Sequence, residues 1–322
     1  MPTVAVIYSE FPDTSVESEV LKAVDATVLH TRGLDTPEQL AVARQADALM
    51  VSIHKVPASL LATLANCRII SRVGTGLDAI DIPAATERGI WVTNVPDYSV
   101  DEVSTHAITL LLALARRLPR VLESMRRGEW DSRQARPFPR LKGQTLGLLG
   151  FGRIAQAVAG KARGLGLEVI AHDPFVPSPV MEAAGARPVD IETLWQTSDF
   201  ISLHTPLTPG TRGIVNAQAL SHMKPTAYVI NTARGPLIDE GALLEAVRAG
   251  QIAGAALDVL TVEPPAPDNP LLHDERIIVT PHYAWYSEAA NYDVRVRGAE
   301  EVVRVLRGER PRNPANEIKI QP

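Results

Sequence analysis

A chain of 322 residues is too long for one ordinary single-core domain and comfortable for two. With 45% hydrophobic and 21% charged residues it belongs among ordinary globular proteins, and a net charge of −5 argues against a nucleic-acid-binding surface. The single cysteine, Cys67, excludes an intrachain disulfide and fits a reducing, cytoplasmic setting; Met1 to Glu10 has no basic leader region, and the apolar stretch Ala107 to Ala115 is too short to span a bilayer.

The first hundred residues alternate between strand and helix patterns. Strands are expected at Val4–Tyr8, Thr27–Leu29, Ala48–Ser52, Ile69–Val73 and Ile90–Thr93. Helices are expected between them, at Val16–Val24, Pro37–Gln45, Ala58–Leu64 and Ile82–Arg88. Such alternation with short connections implies a parallel, doubly wound sheet. This domain has no Gly-rich phosphate loop at its first turn, so it reads as the partner of a nucleotide domain. Asp101–Arg117 is the most helical stretch, with Ser99 and Asp101 as N-cap candidates, and Leu118–Arg127 continues it after Pro119. Gly128–Gly143, with Pro137 and Pro139, reads as an extended arm.

The apolar strand Thr145–Leu149 leads into Gly150, Phe151, Gly152, Arg153, Ile154, Ala155, a G-x-G-x-x-A turn. An alanine-rich helix runs to Leu165, and a second strand, Glu168–Ala171, ends at His172 and Asp173. This is the order of a dinucleotide-binding βαβ unit. Gly150 makes the tight turn, Gly152 lets backbone approach a pyrophosphate, and the helix N-terminus faces the phosphates. Asp173, about twenty residues beyond the turn, suits a ribose hydroxyl and repels a 2′-phosphate, which favours NAD over NADP. Further helices are expected at Ile191–Thr197, Ala217–Ser221 and Glu240–Ala249, and strands at Phe200–His204, Ala227–Asn231, Ala253–Val259 and Ile277–Thr280. A last helix, Glu288–Leu306, is of the kind that crosses back to the first domain. The expected organisation is therefore residues 1–100 plus 288–322 as a discontinuous substrate domain, with 101–287 inserted as the nucleotide domain.

In open α/β sheets ligands lie beyond the carboxyl ends of the strands. At those ends stand His204-Thr205-Pro206, Asn231-Thr232-Ala233-Arg234-Gly235, Asp258 with Glu263-Pro264, and Thr280-Pro281-His282. In the first domain Gly74-Thr75-Gly76 follows Val73 and offers backbone N–H groups. One arginine, one carboxylate and one histidine suit hydride transfer on a 2-oxo or 2-hydroxy acid. Arg234 can grip the substrate carboxylate with its planar fork, His282 can exchange a proton with the substrate oxygen, and Glu263 can orient the imidazole. No G-x-S-x-G elbow and no Cys/His cluster of ligand spacing is present, so neither serine hydrolysis nor a metal is expected.

These residues together resemble the D-isomer-specific 2-hydroxyacid dehydrogenase family. The likeness rests on Arg72 to Asp78, Gly147 to Ala155, Asn231 to Gly235, Asp258 to Pro264 and Thr280 to His282. It implies a flavodoxin-like substrate domain and an inserted Rossmann domain, with a cleft, NAD as cofactor and a homodimer. Catalytic roles for Arg234, Glu263 and His282 follow from it. It also implies cofactor contacts from Thr75, Gly150, Gly152, Arg153, Ile154, Asp173, Thr205, Pro206, Thr211, Thr232, Ala233 and Asp258, and substrate contacts from Val73, Gly74, Arg234 and Trp285. Ala284 to Glu288 is similar to the C-terminal-binding proteins, dehydrogenase-fold corepressors, so an NAD(H)-sensing interaction protein stands as the alternative. Phosphoglycerate-using relatives carry arginine where Val51 stands, which puts a phosphorylated substrate in doubt.

Overall fold

The computed structural model describes residues 1–137 and 139–318. The chain folds into two compact units, Met1–Ser99 with Ser287–Pro322, and Val100–Tyr286.

The first unit opens with β1 (Thr3–Ile7), α1 (Ser15–Leu21), β2 (Thr27–Thr31), α2 (Pro37–Arg44) and β3 (Ala48–Val51). It continues with α3 (Ala58–Leu61), β4 (Ile69–Arg72), α4 (Ile82–Glu87) and β5 (Trp91–Thr93). Five parallel strands run in the order β2-β1-β3-β4-β5. β1 and β3 are buried on both faces, as apolar runs flanked by helices must be. Local chemistry sets the helix starts: Thr36 and Gln39 form a reciprocal capping box around Pro37 at the head of α2, and the Asp81 carboxylate caps α4. The helix expected to reach Leu64 stops at Leu61. Cys67 is buried, and burial pushes its thiol up to about 12.

The second unit begins with α5 (Val100–Ala115) and α6 (Leu118–Arg126). After the 128–143 segment, which holds a short 3-10 turn at Ser132–Ala135, come β6 (Thr145–Leu149), α7 (Arg153–Gly164) and β7 (Glu168–His172). Phe138, within the expected arm, lies outside the described residues, as do residues 319–322 of the tail. Next come α8 (Ser178–Ala183), β8 (Arg187–Pro188), α9 (Ile191–Thr197), β9 (Phe200–Leu203), α10 (Ala217–Ser221) and β10 (Tyr228–Asn231). The unit closes with α11 (Glu240–Arg248), β11 (Gly254–Leu257) and β12 (Ile277–Val279). Seven parallel strands run β12-β11-β10-β9-β6-β7-β8. The order reverses between β6 and β9, which puts a ligand-binding crevice of the doubly wound type beyond their carboxyl ends.

α8 and β8 were not expected from the sequence. β8 is a two-residue edge strand ending in proline, paired only to β7, and it carries no alternation to read.

The final helix, α12 (Glu288–Leu306), is capped by the Ser287 hydroxyl and returns to the first unit. There Ser71 Oγ donates to the Gly298 carbonyl (2.8 Å), and Arg68 donates to the carbonyls of Val305 and Leu306. Arg295 on α12 meets Glu17 on α1 through two hydrogen bonds of 2.6 and 2.8 Å, with both side chains buried.

Candidate active site

The turn after β6 is shaped by Gly150, whose φ of +87° lies in the left-handed region. A Cβ there would stand 2.6 Å from the Thr205 nitrogen and 2.7 Å from the His204 carbonyl carbon, so only glycine lets β6 and β9 close at the switch point. Gly152 begins α7 with no side-chain cap, and a Cβ on it would meet nothing within 4 Å. The first N–H groups of this twelve-residue helix are thus without a side-chain cap, and their partial positive charge is left for a ligand or solvent. Asp173 at the end of β7 accepts from Phe151 N and Phe175 N, each at 2.8 Å, one on each oxygen, and so ties β7 to the glycine turn. Thr232 Oγ1, beyond β10, is buried with no hydrogen-bond partner. An uncapped helix terminus, an open glycine, a half-buried carboxylate and an orphaned hydroxyl fit a dinucleotide.

Arg153 and Ile154 are the first residues of α7, and Thr205 and Pro206 lead out of β9. Thr211 closes that loop on itself, donating to the Pro206 carbonyl at 2.6 Å and accepting from Thr208 N at 2.8 Å. His204 is paired with the Ser202 hydroxyl, and burial pulls its imidazole down to about 4.

The loop after β10 is folded by Asn231, which is fully buried. Its oxygen accepts from Ala233 N (3.0 Å) and its amide donates to the Arg234 carbonyl (2.8 Å). Arg234 is half-buried, and its Nη1 donates to the Ala233 carbonyl. At Gly235 a Cβ would stand 2.0 Å from the Leu260 carbonyl carbon and 2.4 Å from Thr261 N. This backbone approach brings the Arg234 turn against the loop that carries Glu263.

Glu263 Oε1 accepts from Leu260 N at 2.8 Å, and Oε2 lies 2.6 Å from His282 Nδ1. Partial burial pushes the Glu263 carboxyl up. Hydrogen bonds from His282 and Leu260 N, with the charges of His282 and Arg234, outweigh it and leave the carboxyl below its ordinary range. The His282 side chain is 44% exposed, so Nδ1 is held while the ring keeps access to solvent. Arg234, Glu263 and His282 therefore converge within the second unit.

Asp258 is 1% exposed. Its Oδ1 accepts from Thr280 Oγ1 (2.6 Å) and Tyr283 N (3.2 Å), and its Oδ2 from Ala284 N (3.0 Å). His106 Nε2 stands 3.1 Å from Thr280 Oγ1. Both oxygens of Asp258 are thus engaged by protein donors; Thr280 stands at the strand end expected for it, and His106 joins the site unforeseen. Trp285 packs edge-on against Tyr286, ring centroids 5.4 Å apart.

In the first unit Val73 and Gly74 are buried just beyond β4, and Thr75 Oγ1 donates to the Val95 carbonyl. Of the backbone N–H groups of Gly74-Thr75-Gly76 expected near a substrate oxygen, that of Gly74 donates to the Arg72 carbonyl at 2.9 Å. A cavity of about 290 Å³ in the second unit lies at the amino ends of β10–β12, lined by Arg117, Tyr228 and Ile278, on the opposite sheet edge from this chemistry. Among the described residues no helix is long and apolar enough to cross a membrane, and no group of three or more His, Cys, Asp or Glu is placed to hold a metal ion.

Residues 108–284 match the family model described as D-isomer specific 2-hydroxyacid dehydrogenase, NAD binding domain. The chain is 43% identical over 286 residues to a D-3-phosphoglycerate dehydrogenase of Methanocaldococcus jannaschii, covering 88% of this chain and 54% of that one. It is 40% identical over 276 residues to a hydroxypyruvate reductase of Thermotoga maritima, covering 85% and 89%. It thus spans about half the length of the phosphoglycerate dehydrogenases it matches. Among solved structures, a D-lactate dehydrogenase from Aquifex aeolicus complexed with NAD and lactic acid superposes with a TM-score of 0.86 at 27% identity, covering 95% of this chain and 96% of that one.

Proposed function

Since the chain belongs to the D-isomer specific 2-hydroxyacid dehydrogenase family, we propose that it interconverts a small D-2-hydroxy acid and its 2-oxo acid with NAD(H). The observation that carries this reading is the 2.6 Å His282–Glu263 pair beside Arg234. Arg234 binds the substrate carboxylate and polarises the carbonyl. His282 gives a proton to the substrate oxygen on reduction and takes one on oxidation. Glu263, ionised, fixes the ring and offsets the charge of the imidazolium. The nicotinamide, when bound, supplies or accepts the hydride.

Gly150, Gly152, Arg153 and Ile154 would hold the pyrophosphate, and Asp173 the adenosine ribose. Thr205, Pro206, Thr211, Thr232, Ala233 and Asp258 would flank the rest of the cofactor. The Asp173 carboxylate favours NAD over NADP by repelling a 2′-phosphate. We assign residues 1–100 with 288–322 to substrate binding, through Val73 and Gly74, and 101–287 to NAD. Val51 is fully buried in β3 and presents no cation, which favours an unphosphorylated acid. Trp285 would set the size of the substrate side chain. The family resemblance supports a homodimer, and the single cysteine, Cys67, a reducing, cytoplasmic setting.

The test is NADH oxidation with glyoxylate, pyruvate, hydroxypyruvate, branched and phenyl 2-oxo acids and phosphohydroxypyruvate, alongside His282→Ala. We expect turnover on an unphosphorylated member, and its loss in the variant with NADH binding retained. NADH binding without turnover on any member would favour the corepressor-like alternative, and full activity in His282→Ala would remove the histidine from its role.

A further inference from the structure

His282 has φ +51°, in the left-handed region. A non-glycine residue keeps that conformation where its surroundings impose it. The hydrogen bonds around it identify what does so. The His282 N–H donates to the Asp258 carbonyl at 2.8 Å and to the Thr280 carbonyl at 3.0 Å. The next two N–H groups, of Tyr283 and Ala284, donate to the Asp258 carboxylate. One residue thus takes donors from the backbone at and after His282, through both its main chain and its side chain.

Asp258 is itself held from a distant point in the chain. Thr280 Oγ1 lies 2.6 Å from Asp258 Oδ1 and gives it the hydroxyl's single proton. At 3.1 Å from His106 Nε2 the same oxygen must then accept, which assigns His106 the Nε2–H tautomer. His106 Nε2 is also 3.5 Å from Asp258 Oδ1. Its ring packs edge-on against Tyr283, centroids 4.8 Å apart. Burial pulls the His106 imidazole below its ordinary value, against the pull of Asp258, so the ring keeps the single-proton form that this chain of bonds requires. The donors run in one direction, from His106 to Thr280 to Asp258.

We propose that His106 is a positioning residue for His282: through Thr280 and Asp258 it locks the 280–284 turn that aims the His282 ring. The proposal rests on the reading of His282 as the acid–base group. A helix of the NAD-binding unit, α5, then sets the pose of a group on the loop after β12.

The experiment compares His106→Ala, Thr280→Val and His106→Gln with the unaltered chain. Amide hydrogen exchange at Tyr283 and Ala284 is read first, since it needs no substrate. His106→Ala and Thr280→Val should speed exchange there about tenfold or more while α7 amides hold. With the best 2-oxo acid, kcat should fall about 10- to 100-fold, the scale of a mispositioned catalytic group, with NADH affinity within about threefold. His106→Gln, whose amide N–H can reach the Thr280 hydroxyl, should recover most of both. Unchanged exchange at Tyr283 and Ala284 would overturn the proposal, as would a loss spread evenly over the unit or one carried by NADH affinity alone. If the unaltered chain turns over no 2-oxo acid, the reaction assignment fails, while the exchange data still decide the clamp.

Discussion

Gly235→Ala probes how the site is assembled. The added Cβ would lie 2.0 Å from the Leu260 carbonyl carbon, 2.2 Å from its oxygen and 2.4 Å from Thr261 N. Ordinary contact begins near 3.4 Å, so the two loops must part by about 1.4 Å, from 2.0 to 3.4 Å. All three opposing atoms are backbone, so no side-chain rotation relieves the clash. The parting separates the turn holding Arg234 from the loop holding Glu263, and through Glu263 it releases His282. A misplacement of about 1 Å costs on the order of 100-fold in rate, and overpacking costs about 1–3 kcal/mol of stability. We expect kcat to fall about 100-fold in NADH oxidation with whichever 2-oxo acid the unaltered chain turns over best, with NADH affinity by fluorescence nearly unchanged. Gly241→Ala, in α11 with its nearest heavy atom at an ordinary 3.4 Å, serves as the control and should be neutral. If Gly235→Ala kept kcat/KM within threefold of the unaltered chain, the argument that this close approach builds the site would fail.

Other expectations address the charges. Glu263 lies below its ordinary range, so its ionised form is favoured by folding. The stability it contributes is present above the unfolded value near 4.3 and is lost as pH falls through the lower folded value. A carbon-detected titration of Glu263 should show a midpoint below about 4.3, and a midpoint above it would contradict the hydrogen-bond account. Asp173→Ala should lower the preference for NADH over NADPH about 10- to 100-fold, the worth of charge-assisted hydrogen bonds, as read by fluorescence titration with both; an unaltered ratio would remove Asp173 from the ribose. Glu17→Ala leaves buried Arg295 with only the exposed Asp13 carboxylate at 3.6 Å and should cost about 3–5 kcal/mol in denaturant unfolding; a loss under about 1 kcal/mol would show the Glu17 pair is dispensable.

The β6–α7–β7 unit was legible because the apolar period switches from strand to helix across Gly150 and Gly152, where few other arrangements fit. That Arg234, Glu263 and His282 come together was legible because the loops carrying them all leave the same ends of a parallel sheet. The sequence could not reveal what Gly235 touches, since Leu260 reaches it only through tertiary packing. His106 stands just before the apolar stretch Ala107 to Ala115, and nothing in its neighbours along the chain marks it. Its partners Thr280 and Asp258 lie far along the chain, and no local periodicity connects them. Asp258 was readable as a strand-end acid, but its donor set depends on the turn after β12. β8 escaped because a two-residue edge strand depends entirely on the neighbour it pairs with.

The return of α12 to the first unit sets an order of events during synthesis. Glu17 waits for Arg295, and Ser71 for the Gly298 carbonyl, across more than two hundred intervening residues. The ribosome delivers the whole contiguous stretch Val100–Tyr286 before the helix that the opening residues need. The usual N-terminal-first sequence of domain folding is thereby inverted: the inserted unit can close on its own residues, while the earlier-made sheet must keep its α12-facing side unsealed until the last helix emerges.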